Sequence, residues 1–266
     1  MKIALGQLVI TNDKPANLAK IGVQVEAAVR AGARLAIFPE ASMHCFGSPT
    51  DSLAACAEEI DGPFGTGLRE LARRFGISLV AGMFEKAADD PERVYNTVLA
   101  VDERGDLYGA YRKIHLYDAL GFLESQRIRP GSGATLSFVC EGVRFGVITC
   151  YDVRFPELTR HLTEEGADAI LMPTAWLHGI LKEQHLQTLV RARAIENTVY
   201  LFCADQVGTT FSGNSCAIDP MGVTLAAAGE TETVIAAELS LERLEEVRSK
   251  LPSVRNRRPE VYRRWG

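Results

Sequence analysis

The chain has 266 residues, enough for one large α/β domain or two small ones. Its 29 Lys and Arg against 34 Asp and Glu give a net charge of −5, not the basic excess of a dedicated nucleic-acid binder, and 47% hydrophobic with 24% charged residues excludes intrinsic disorder. Six cysteines are too sparse for a disulfide scaffold, none sits in a C-x-x-C pair, and no uncharged stretch approaches the ~20 residues that span a bilayer.

In chain order, the alternating apolar run Lys2–Ile10 predicts a strand rather than a signal peptide, because polar Thr11-Asn12-Asp13-Lys14 follows it and no A-x-A-like cleavage site closes it. Pro15 opens a helix on which Leu18, Ile21, Val25, Ala28 and Val29 recur at helical spacing, and Gly32 ends it. Arg34–Phe38 predicts a buried strand that stops at Pro39-Glu40. A helix over Thr66–Phe75 and a strand over Ile77–Met83 follow. Tyr95–Val101 and Leu107–Arg112 flank the turn Asp102-Glu103-Arg104-Gly105. The second half alternates likewise: strand Val143–Thr149, helix Pro156–Glu165, strand Ala169–Met172, helix Lys182–Glu196 and strand Val199–Ala204. A β-rich stretch to Leu239 and a helix at Leu241–Lys250 close the pattern. No repeat, Pro-rich tract or polar linker interrupts it, so residues 1–266 are expected to form a single α/β layered domain. The cysteines are expected to be free thiols in a reducing cytoplasm.

Cofactor fingerprints are missing. There is no G-x-G-x-x-G after a strand, no Gly-Lys pair of a P-loop and no H-E-x-x-H, and the five histidines show no ligand spacing. Neither a cofactor nor a metal is expected. Gly213-Asn-Ser-Cys-Ala falls one residue short of a serine-hydrolase elbow, but it follows no clear strand and opens no helix, which argues against Ser215 as a nucleophile. Three other places share one geometry: a buried strand that ends at a reactive side chain. Leu35–Pro39 ends at Glu40, Leu107–Arg112 at Lys113 and Phe145–Thr149 at Cys150. In α/β sheets ligands gather beyond strand ends, so an acid, an amine and a thiol placed there can converge. Each taken alone also fits a cap, a solvated charge or a core filler.

Together the segments resemble a known family. Phe38-Pro39-Glu40, Tyr111-Arg112-Lys113-Ile114-His115-Leu116 and Cys150-Tyr151-Asp152-Val153-Arg154-Phe155-Pro156-Glu157 look like the three signature segments of the nitrilase (carbon–nitrogen hydrolase) superfamily, in its order and at its approximate spacing. Glu124 with Pro130-Gly131, the run Arg191–Asn197, Gly213 and Ser215 leading to Asp219-Pro220 and Gly222, and Arg257-Arg258 with Tyr262 extend the likeness over essentially the whole chain. The resemblance implies an α-β-β-α sandwich and a Glu-Lys-Cys triad that hydrolyses non-peptide C–N bonds. It makes Cys150 the nucleophile, Glu40 the general base, Lys113 the stabiliser of the tetrahedral intermediate and Glu124 the second glutamate that holds the lysine and the substrate. Lys113 and the backbone N–H of Tyr151 would form the oxyanion hole. A thiol near its ordinary pKa is mostly protonated at neutral pH, so such a nucleophile needs a neighbouring base or cation. His115, the histidine beside a motif, reads as structural, and the remaining cysteines as small buried hydrophobes.

Within the superfamily the segments are most similar to the omega-amidase and deaminated-glutathione-amidase branch, which implies a small amide substrate bearing a carboxylate. N-carbamoyl amides and nitriles remain alternatives on the same triad, and a non-catalytic assembly protein is the alternative of another class. Arg154 could pair with a substrate carboxylate or make a salt bridge with Glu157 or Asp152. Thr174, Ala175 and Trp176, after the Ala169–Met172 strand, are expected to line the pocket. The terminal segment Arg248–Gly266 holds seven basic residues against Glu260. Its interleaved Leu251, Val254, Val261, Tyr262 and Trp265 point to packing, and the resemblance implies a tail that crosses a homodimer interface.

Overall fold

The first strand, β1 (Lys2–Gln7), ends earlier than its apolar run because Leu8 leaves the sheet to bridge Gln206. The structure, a computed structural model, describes residues 1–48 and 50–263; Arg264 and Trp265 of the basic tail lie outside them. Helix α1 (Lys14–Arg30) is capped by Asp13, whose carboxylate accepts the Ala16 N–H at 2.9 Å, and β2 (Leu35–Ile37) follows. Helix α2 (Pro63–Phe75) starts before the predicted Thr66. Pro63 takes its first turn, where a missing N–H costs nothing, and Glu58 Oε2 accepts the Phe64 N–H at 2.7 Å. β3 (Ser78–Lys86) runs past Met83 because its residues Leu79–Lys86 pair with β4 (Val94–Val101), which turns into β5 (Leu107–Arg112).

The second half contributes β6 (Ser137–Cys140), β7 (Val143–Val147), α3 (Pro156–Glu164), β8 (Ala169–Thr174), α4 (Lys182–Asn197) and β9 (Tyr200–Asp205). It closes with β10 (Cys216–Ile218), β11 (Thr224–Ala227), β12 (Thr233–Glu238), α5 (Leu241–Lys250) and the short α6 (Pro259–Tyr262). The short edge strand β6 and the 3-10 turn Cys150–Arg154 carry no sequence period of their own.

The described residues form two mixed six-stranded sheets, ordered β12-β1-β2-β3-β4-β5 and β11-β10-β9-β8-β7-β6. Side-chain alternation assigns the faces. Ile3, Leu5, Leu35, Ile37 and Val80 of the first sheet join the cluster that holds Phe145, Val147 and Met172 of the second. The alternate residues Ala4, Ala36, Leu79, Ala81 and Met83 pack with Ile21 and Val25 of α1 and Leu68 and Ala72 of α2. The central strands are thus buried on both faces, which is why they read as near-continuous apolar runs. Each such Leu, Ile or Val contributes roughly 1.5–3 kcal/mol by burial. The result is a single-domain α-β-β-α sandwich, as the resemblance implied. Among the described residues no helix is long and apolar enough to cross a membrane.

Candidate active site

β1 and β2 run parallel, as do β2 and β3, and β5 recovers their sense by two antiparallel turns through β4. The chain beyond β2 and the chain beyond β5 therefore emerge at the same end of the first sheet. Glu40 stands beyond β2 in a turn that places Ala41 at a φ of 52°. Gly82 on β3 makes room for it: a Cβ there would lie 2.4 Å from the Ala41 nitrogen and 2.8 Å from Glu40 Cα. Glu40 is 1% exposed, so its carboxylate must be met inside the protein. Oε1 accepts from Asn96 Nδ2 at 2.6 Å and from Lys113 Nζ at 2.9 Å, and Oε2 accepts the Ala175 N–H at 2.9 Å.

Lys113 follows β5, its N–H donating to the Asn96 carbonyl at 2.8 Å. Its carbonyl accepts from the Gly131 N–H at 2.8 Å, and a Cβ at Gly131 would fall 2.3 Å from the Arg112 carbonyl oxygen, so the Pro130-Gly131 pair permits this close pass. Lys113 is buried, and Nζ also donates to Glu124 Oε1 at 3.0 Å and Oε2 at 2.9 Å. Burial opposes the charge on this ammonium, but Glu124 and Glu40 together outweigh it and hold Lys113 well above the usual lysine range.

Cys150 begins the 3-10 turn after β7, at a φ of 47°, a strained value for a residue with a side chain. Burial first and the Glu40 charge second push its thiol up, with Lys113 opposing. The resting side chain is therefore a thiol rather than a thiolate, and it could act as a nucleophile only with a base to take its proton. Asp152, fully buried, binds the turn to the Lys113 segment. Its Oδ2 accepts from the Thr149 N–H at 2.9 Å and from the Tyr111 hydroxyl at 2.6 Å, and its Oδ1 accepts the His115 N–H at 3.1 Å. His115 Nδ1 lies 2.7 Å from the same oxygen and its ring stacks on Phe155 at 3.8 Å. His115 thus braces the motif.

Glu40, Lys113, Glu124 and Cys150 share the wall of one cavity of about 700 Å3. Of the other residues singled out in the sequence, Tyr151, Ala175 and Trp176 line it too. Thr174 is fully buried at the end of β8 and is not part of the lining. Arg154 is not part of it either, and it pairs with neither Glu157 nor Asp152: its guanidinium carbon lies 5.1 Å from the Trp176 ring centroid and 5.7 Å from that of Tyr151. Ser215 is buried away from the cavity, its hydroxyl donating to Gln7 Oε1 and accepting from the Asp205 N–H, both at 2.8 Å.

Sequence reasoning passed over Asn96, whose amide touches Glu40, and Gln206, whose Nε2 donates to the Glu40 carbonyl at 2.7 Å. The available signal was a polar amide in or just after an otherwise apolar strand. It also passed over two cavity-lining cations, Arg127 and Lys182.

The profile of the family described as carbon-nitrogen hydrolase matches residues 2–249. A deaminated glutathione amidase of Escherichia coli O157:H7 is 34% identical, over 97% of this chain and 97% of that protein. An omega-amidase of Saccharomyces cerevisiae is 34% identical, over 98% of this chain and 94% of that protein. Among solved structures, a mutant of the amidase from Nesterenkonia sp. AN1 superposes with a TM-score of 0.84 at 26% identity and full coverage of both chains, and it shows acrylamide added at its active site cysteine. A carbon-nitrogen hydrolase from Helicobacter pylori G27 shares the fold, with a TM-score of 0.91 at 24% identity over 100% of this chain and 97% of that one.

Proposed function

The chain belongs to the carbon–nitrogen hydrolase family and is an amidase, and we propose that it hydrolyses a small, carboxylate-bearing, non-peptide amide through a thioester on Cys150. The observation that carries this reading is the convergence of Glu40, Lys113, Glu124 and Cys150 on one cavity, with the lysine ammonium held between two carboxylates. The cysteine adduct of the Nesterenkonia amidase supports the same residue type as nucleophile.

In this mechanism Cys150 Sγ attacks the amide carbon while Glu40 takes the thiol proton. The tetrahedral oxyanion is met by Lys113 Nζ and the Tyr151 N–H, where loss of one donor costs about 3 kcal/mol. Glu40 returns the proton to the departing nitrogen, so ammonia or an amine leaves and a thioester remains. Glu40 then takes a proton from water as that water attacks the thioester carbon, and collapse gives the carboxylic acid and restores the thiol. Glu124 fixes Lys113, keeping the ammonium aimed at the place where charge develops. Free thiols throughout, with all six cysteines unpaired, support a reducing compartment, the cytoplasm. The tail beyond α5 is proposed to cross a homodimer interface.

Ammonia release from a panel of amides, ureido acids and nitriles tests the reaction. Turnover of amides, lost in Cys150→Ala, with a transient acyl mass on the wild-type protein, is the expected result. No turnover of any class, with no adduct on Cys150 by intact mass, would overturn it.

A further inference from the structure

One wall of the cavity carries a cation that the chemistry at Cys150 does not use. Lys182 opens α4 and is only 7% exposed, a setting in which lysines are seldom found without an anionic partner. Among the described residues its ammonium meets no carboxylate. Nζ donates to Tyr117 Oη at 2.8 Å and lies 4.4 Å and 5.2 Å from the ring centroids of Tyr117 and Trp176. One of three ammonium donors is thereby used, and the phenolic hydrogen of Tyr117 is left without an acceptor among these residues.

Both donors line the cavity that holds Cys150, and neither is loose. The Tyr117 N–H donates at 2.6 Å to Glu124 Oε2, the oxygen that also receives Lys113. The Lys182 carbonyl accepts Trp176 Nε1 at 2.7 Å. Other cations nearby are already engaged. Lys113 sits between its two glutamates, and Arg127 Nη1 donates to the carbonyls of Phe46, Ser48 and Asp51. A buried ammonium facing only a phenol and two rings lacks the anion that would offset its desolvation. A carboxylate brought by a ligand would supply it, with charge-assisted hydrogen bonds from Lys182 and a further one from the Tyr117 hydroxyl.

We propose that Lys182 and Tyr117 anchor a carboxylate at the far end of the substrate, so that the enzyme selects amides of anionic acids over neutral amides of equal length. The inference rests on the amidase reading and adds the residues that choose the substrate. It also moves the carboxylate contact from Arg154, which lies off the cavity, to Lys182.

The test compares kcat/KM for succinamate, glutaramate and adipamate with that for unsubstituted aliphatic amides of matching length. The wild type is expected to favour the anionic series by roughly 10- to 100-fold, the scale of a hydrogen-bonded charge pair. In Lys182→Met the ratio should fall toward unity, mainly through KM, and Lys182→Arg should restore part of it. A second measurement needs no turnover: succinate, glutarate and adipate should raise the melting temperature of the wild type and not that of Lys182→Met. Lys182-dependent binding without hydrolysis of any amide would uphold the anchor and sink the amidase reading. Amide hydrolysis with no anionic preference, or a preference that survives in Lys182→Met, would overturn the anchor itself.

Discussion

At Cys150 burial and the Glu40 carboxylate both disfavour the thiolate, and Lys113 only partly opposes them. The thiol therefore stays protonated across the neutral range, and its alkylation by iodoacetamide should keep rising with pH, without a plateau below about pH 9. The same electrostatics separate two roles of Glu40. In Glu40→Gln the repelling charge is gone, so the thiol pKa falls and alkylation at pH 7 should quicken. Amide hydrolysis should drop by about 100- to 10,000-fold, because nothing shuttles the proton. If alkylation and hydrolysis slowed together, the Glu40 charge would not be what holds the thiol protonated, and this electrostatic account would fail.

Among the elements, β3 does more than pair. The chain after β2 can fold back as it does only because Gly82 presents no side chain to it, with the Gly82 N–H donating to the Pro39 carbonyl at 3.1 Å and its carbonyl accepting from the Met43 N–H at 3.2 Å. Gly82→Ala would press a methyl into the Glu40–Ala41 backbone. Overpacking of this kind costs about 1–3 kcal/mol, and a displacement near 1 Å at a catalytic group costs about 100-fold in rate. The variant is expected to fold with a lowered melting temperature and a kcat reduced on that order. Near-native kcat would show that the turn after β2 can shift without moving the carboxylate.

Across the whole molecule, the cavity lies where the two sheets are joined by the Leu8–Gln206 bridge, so packing between the sheets fixes the distance between Glu40 and Cys150. The C-terminal segment is fastened to its own chain first. Arg248 donates to the Thr198 carbonyl at 3.1 Å, the Ala167 carbonyl at 2.8 Å and Asp168 Oδ1 at 3.0 Å, and Arg257 pairs with Glu164 at the end of α3. A chain ending at Leu251 keeps the Arg248 contacts and should remain folded. If the tail crosses a dimer interface, that chain should sediment as a monomer where the full chain sediments as a dimer. A truncated chain that stays dimeric would place the interface elsewhere.

The sequence by itself determined the layered α/β class, because strand and helix periods are local and two-sided burial writes itself as apolar runs. It also singled out Glu40, Lys113 and Cys150, because each stands where such a run is cut short and each belongs to a recognisable segment, and the structure brings all three to one cavity. Helix α2 was visible but misplaced at its start, since the glycine and proline that open it carry no apolar period. What only the tertiary structure decided is which groups meet those residues. Asn96 reaches Glu40 from a neighbouring strand, and Ala175 reaches it from the other sheet. Arg154 looked suited to a carboxylate by composition, yet it lies against aromatic rings outside the cavity. Lys182 reads in sequence as an ordinary first residue of a helix. Its burial beside Tyr117 arises from packing between segments distant in the chain, and no local pattern encodes that.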